Sequence, residues 1–224
     1  MPKKPKGRTR FLNEDEIVRL LDACGNSQNP ALHAAVVLAM NTGMRKGEIL
    51  GLTWERIDLQ SDLGFRAKAT LYETKSGEPR GVPLNTAAVA ALSTLQSDPE
   101  KRCGNIFRAS NGSNRSTMRT AFENAVKRAG IAHCRFHDLR HTAASHMVMR
   151  GRSLQEVKEV LGHSDYRMTL RYAHLSPASL RSAVCALDGL TPMPSDGHTA
   201  APDNEWAHNR AQNTSTKQPK NITA

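Results

Sequence analysis

The sequence predicts a mainly helical domain carrying one small antiparallel β-sheet (an α+β class). Three observations predict it. Side-chain caps stand ahead of apolar-periodic stretches, one segment alone carries hairpin turn chemistry, and the chain beyond that hairpin reads as helix after helix.

Asn13 followed by Glu16 forms a capping-box signature, and Ile17, Leu20 and Leu21 supply the apolar stripe of a first helix. A second helix, about Ala31 to Asn41, is apolar almost all round and should be buried. Gly43 ends it, and a new helical turn should begin near Arg45. Phe65–Thr74 and Arg80–Leu84 flank Ser76-Gly77-Glu78-Pro79, which reads as a hairpin. Further helices are expected over Thr86–Leu95, Ser116–Ala129, His137–Arg150, Ser153–Leu161, Tyr166–Ala173 and Pro177–Leu187. Ser153 with Glu156 is a second capping box, and Gly162 sits where a C-cap glycine belongs. The organisation expected is a basic arm over residues 1–10, one domain over 11–189, and a Pro/Ser/Thr/Asn-rich tail over 190–224 that is too poor in apolar residues to fold.

Charge narrows the function class. The chain has 31 Lys and Arg against 21 Asp and Glu, a net charge of +10. The excess is uneven: Lys101–Arg181 holds 15 basic and 5 acidic residues, whereas Phe11–Gln60 holds 4 and 7. One positive face of this kind suits a polyanion. Aromatic residues are only 4%, which argues against a base-stacking binder of single strands. No apolar run is long enough to span a bilayer, and Met1–Arg10 lacks the apolar stretch of a signal peptide. Cys24, Cys103, Cys134 and Cys185 are scattered, as expected of reduced structural thiols in a cytoplasmic protein.

Three segments can carry chemistry. In Asn41–Leu50, Arg45 follows a glycine turn at a helix start, where it could serve an anion or be a solvated charge. In His137-Asp138-Leu139-Arg140-His141, His137 and Arg140 share a helix face. There His137 is either a hydrogen-bonded core histidine or part of a zinc set with His133, His141 and Cys134, though the fixed charge of Arg140 opposes a metal. Leu161-Gly162-His163 precedes Tyr172, which taken alone reads as a packing residue.

Taken in order, the words NTGMRKGEILGLTWERID (41–58), TKSGEPRGVPL (74–84), HDLRHTAASHM (137–147) and LGHSDYRMTLRYAHLSP (161–177) resemble the tyrosine recombinase, or phage integrase, family. The resemblance runs from about Phe11 to Leu187 and implies the catalytic-domain fold of that family. It implies Tyr172 as nucleophile, Arg45 and Arg140 as a clamp on the scissile phosphate, and Lys75 as general acid. His163 would donate a hydrogen bond to the phosphate, His137 would assist proton transfer from the tyrosine, and Glu48 would support the site. The implied partner is double-stranded DNA bound by a homotetramer, with no cofactor, no metal and no membrane. A phosphodiester transition state gains negative charge, and planar guanidinium forks neutralise it without a metal. A phosphotyrosine link conserves the bond energy, so resealing needs no ATP. A topoisomerase-like nicking and resealing activity, or a DNA-binding remnant, are the competing expectations. Members of the family usually carry a separate helical domain ahead of the catalytic one. Here a basic arm of about ten residues stands there, as expected of a fragment or of a minimal protein.

Overall fold

The computed structural model describes residues 10–59, 67–72, 79–107 and 114–176, and beyond them 184, 185, 187, 188 and 190. The chain divides into two units, Met1–Ala178 and Ser179–Ala224. In the second, Val184, Leu187 and Leu190 are exposed. The expected N-terminal arm (all but Arg10), the turn 76–79 (all but Pro79), the tail past Leu190 and most of the helix Pro177–Leu187 lie outside the described residues.

In the first unit the helices follow their sequence signals closely. α1 (Glu14–Gly25) starts on the predicted capping box: the Asn13 side chain accepts the Glu16 N–H at 2.8 Å, and the Glu16 carboxylate accepts the Asn13 N–H at 3.1 Å. α2 (Leu32–Thr42) buries Leu32, Ala34 to Ala39 and Thr42, and packs against α1, α4 (Thr86–Leu95) and α6 (Phe136–Met149) as the central helix. Its C-cap, Gly43, adopts φ 64°, and a Cβ there would collide with Leu161, so both backbone and space require glycine. α3 (Lys46–Leu50) follows at once, with Arg45 as N-cap. α5 (Asn114–Arg128) closes the large core with Met118, Phe122 and Ala125.

The sheet has three strands, one more than expected. β1 (Ile57–Asp58), β2 (Lys68–Leu71) and β3 (Arg80–Pro83) pair antiparallel in that order, with Ala69 opposite both Ile57 and Val82. β1 escapes sequence reading because two residues are too few to display an alternation. Ala69, Leu71 and Val82 face the core.

α7 (Leu154–Leu161) is capped by Ser153 and Glu156 and ends at Gly162 with φ 64°. Beyond it the predicted helix Tyr166–Ala173 is shorter: α8 covers Arg167–Leu170, and a 3₁₀ turn covers Ala173–Leu175. Tyr172 joins the two and enters a second, smaller core with Ala144, Val148, Val157 and Leu161, where it is 1% exposed. Cys24 and Cys134 are buried, Cys103 and Cys185 are exposed, and all four are free thiols. No helix among the described residues is long and apolar enough to cross a membrane.

Candidate active site

The C-terminal end of α7 gathers most of the residues singled out in the sequence. A helix C-terminus carries unpaired carbonyls and partial negative charge, so it attracts cations. Here Arg140 donates to Leu161 O at 2.8 Å and to Gly43 O at 2.6 Å, while Arg45 donates to Gly162 O at 3.4 Å. Arg140 is 4% exposed; burial, with Arg45 beside it, lowers its pKa to about 10, so it stays cationic at neutral pH.

Although Arg45 stands at a helix start, its guanidinium does not lie among the helix N–H groups. Its Nη1 pairs with Glu48 Oε1 at 2.7 Å, and its backbone N–H donates to Glu48 Oε2 at 2.7 Å. The reason is electrostatic: a cation gains from a carboxylate and from a helix C-terminus, and loses at an N-terminus. Burial pushes the Glu48 carboxyl up. The Arg45 N–H bond and the charges of Arg80 and Arg45 outweigh that and hold it below the usual range.

His163 follows Gly162 and is buried, its Nδ1 2.9 Å from Thr169 Oγ1. Burial, then Arg140 and Arg45, depress its pKa to about 4, so the ring is neutral. Tyr172 lies beneath the same helix, with its hydroxyl 2.6 Å from His141 Nδ1. Burial raises the phenol above its ordinary value against the pull of Arg171 and Arg140. Nearby cations alone would favour tyrosinate, but in this conformation desolvation wins. His141 is also lowered to about 4, by burial first and then by His137, so the pair carries no charge.

His137 is exposed rather than a core histidine, and its ring stands edge-on to that of His141 at 5.0 Å. His133 is off the helix, since α6 begins at Phe136 and His133 has φ 53°; the four-residue repeat of histidines is therefore not a helical face. Among the described residues no three His, Cys, Asp or Glu side chains gather as metal ligands. Lys75 lies outside the described residues, in the segment joining β2 to β3.

Two residues here were missed in the sequence. The sequence presents His141 only as a possible metal ligand, although its spacing of four from His137 puts both on one helix face. Arg80 donates to Val160 O at 2.7 Å and to Glu48 Oε2 at 3.0 Å. Its signal was strand alternation, which places Arg80 on the same face as the buried Val82.

The model of the phage integrase family matches residues 10–179. The chain belongs to the phage integrase family. Among members of that family, the integrase of Haemophilus phage HP1 is 39% identical over 177 residues, which are 78% of this chain and 46% of that protein. A shufflon-specific DNA recombinase of Escherichia coli is 37% identical over 186 residues, 83% of this chain and 45% of that protein. The chain thus spans less than half the length of these relatives. The solved catalytic domain of bacteriophage HP1 integrase is 36% identical with a TM-score of 0.65, covering 84% of this chain and all of that one. The integrase fold expected from the sequence is therefore the fold observed.

The two histidines depressed to about 4 in this family member, His141 and His163, predict acid sensitivity. In the unfolded chain each imidazole takes a proton near its ordinary value, about 6.5, but in the fold only near 4. Their contribution is complete above about pH 6.5 and is lost as pH falls towards 4. Stability from urea unfolding should drop between pH 7 and pH 5, by about 2 kcal/mol for each histidine. Equal stability at the two pH values would show that both rings accept protons in the folded chain.

Proposed function

We propose that the chain cuts and rejoins double-stranded DNA as the catalytic part of a site-specific recombinase, through a 3′-phosphotyrosine intermediate. One observation carries this reading. Arg45, Arg140 and His163, from segments far apart in sequence, meet at the end of α7, with Tyr172 packed under that helix. Membership of the integrase family, and likeness to a relative named as a DNA recombinase, support it.

In this reading Arg45 and Arg140 exchange backbone carbonyls for the nonbridging oxygens of the scissile phosphate, which a guanidinium fork fits better. With Nδ1 accepting from Thr169, the Nε2–H of His163 is a third donor. The Tyr172 oxygen bonds to phosphorus as the bond to the 5′-oxygen breaks, and Lys75 protonates the departing oxygen. His137 helps to carry away the phenol proton. Attack by a 5′-hydroxyl on the phosphotyrosine reverses the step and reseals the strand. In the conformation described Tyr172 is enclosed and bonded to His141, so the phenol has to turn out of its pocket first. Exchange between two duplexes uses four nucleophiles, hence a homotetramer on DNA.

The test is a duplex nicked close to the cleavage point, so that the cut strand is lost and the covalent product accumulates. A protein–DNA adduct should form at full rate in excess EDTA, because the arginines supply the positive charge and His163 a hydrogen bond. Loss of the adduct with chelator, and its return with zinc or magnesium, would contradict the proposal.

A further inference from the structure

Arg80 stands beside the implied phosphate clamp without belonging to the set of site residues drawn from the sequence. It lies on β3, and its guanidinium reaches the end of α7, donating to Val160 O at 2.7 Å and to Glu48 Oε2 at 3.0 Å. An added Cβ at Gly162 would sit 2.9 Å from that guanidinium, so Arg80 is stacked on the glycine that precedes His163. Three arginines thus hold three successive carbonyls at the end of α7: Arg80 on Val160, Arg140 on Leu161 and Arg45 on Gly162.

The buried carboxylate of Glu48 sets a problem for such a site. Its side chain is 7% exposed and pairs with Arg45 at 2.7 Å. An ion pair of that closeness, alone, would cancel most of the charge that Arg45 offers to an anion. Arg80 takes the other oxygen of the same carboxylate. Three guanidinium groups against one carboxylate leave two positive charges at the end of α7; without Arg80, one would remain. Arg80 itself has a side chain only 17% exposed and both terminal nitrogens engaged, so it acts through its neighbours.

We infer that Arg80 is a positioning residue of the reaction: by sharing Glu48 it leaves Arg45 its charge for the scissile phosphate and fixes Arg45 against α7. This role rests on the reading of Arg45 and Arg140 as a phosphate clamp.

The test compares two nicked duplexes, one with an ordinary scissile phosphate and one with a methylphosphonate, in which a methyl group replaces one anionic nonbridging oxygen. Arg80→Met removes the charge and keeps the length. Arg80→Gln keeps a donor for Val160 O and serves if the methionine variant does not melt cooperatively. Arg80→Lys keeps the charge. With the phosphate, the Met and Gln variants should form adduct about 10-fold or more slowly than the unsubstituted chain, while the Lys variant keeps most of the rate. With the neutral ester the loss should shrink to about 3-fold or less, because less charge needs neutralising. Unchanged rates on the phosphate, or equal losses on both esters, would overturn the role and leave Arg80 a packing residue. No adduct from the unsubstituted chain on the phosphate would instead bring down the clamp reading on which the role rests.

Discussion

Changing Lys75 to alanine should slow strand cleavage by about 10²–10⁴, the scale of a lost general acid. The loss should largely vanish when sulfur replaces the bridging 5′-oxygen, because a thiolate departs without a proton. Arg45→Ala should show no such recovery, since in the proposed mechanism its guanidinium serves nonbridging oxygens that the sulfur leaves unchanged. Lys68 is the competing lysine: it is exposed on β2, in register with Pro83 on the neighbouring strand. Equal defects on oxygen and sulfur substrates would reduce Lys75 to a DNA contact and direct the search to Lys68. Single-turnover cleavage of matched substrates reads the difference.

Arg140→Ala should damage both rate and fold. Removing a donor to a developing oxyanion costs about 10²–10³ in rate. It also leaves Gly43 O and Leu161 O without their partner, at about 1–3 kcal/mol for each buried group left unsatisfied. Arg140→Lys should hold the fold better and yet not restore the rate, because one ammonium cannot replace a fork on two carbonyls or on two phosphate oxygens. Urea unfolding and cleavage measured on the same preparations separate the two effects. Full activity in Arg140→Lys would show that charge alone suffices and that the fork geometry is incidental.

Elements whose signals are local were legible in the sequence. The Asn13–Glu16 and Ser153–Glu156 boxes start α1 and α7 where they should, and Gly43 and Gly162 end their helices in the left-handed conformation. The hairpin strands were legible through the turn residues between them, whereas β1 exists only because β2 offers it a partner. The site divides in the same way. Residue identities came from motif words, but their present partners are tertiary. That Arg140 reaches across to Gly43, 97 residues earlier, depends on α2 and α6 packing together. The pairing of Tyr172 with His141 could not be read, because α8 is shorter than its pattern and Tyr172 turns into the small core instead of lying on a helix flank. Nor could the raised pKa of the phenol, since desolvation depends on what encloses the ring.

The central claim, that Tyr172 becomes joined to DNA, can be read directly by mapping the covalent link. The chain has three tyrosines: Tyr72, Tyr166 and Tyr172. Cleavage by trypsin after Arg167 and Arg171 puts Tyr166 and Tyr172 on different peptides. After reaction with a nicked duplex and digestion of protein and DNA, mass spectrometry should find a nucleotide phosphate on the peptide that begins at Tyr172, and Tyr172→Phe should form no adduct. A nucleotide on the Tyr166 peptide, or an adduct that survives Tyr172→Phe, would contradict the account.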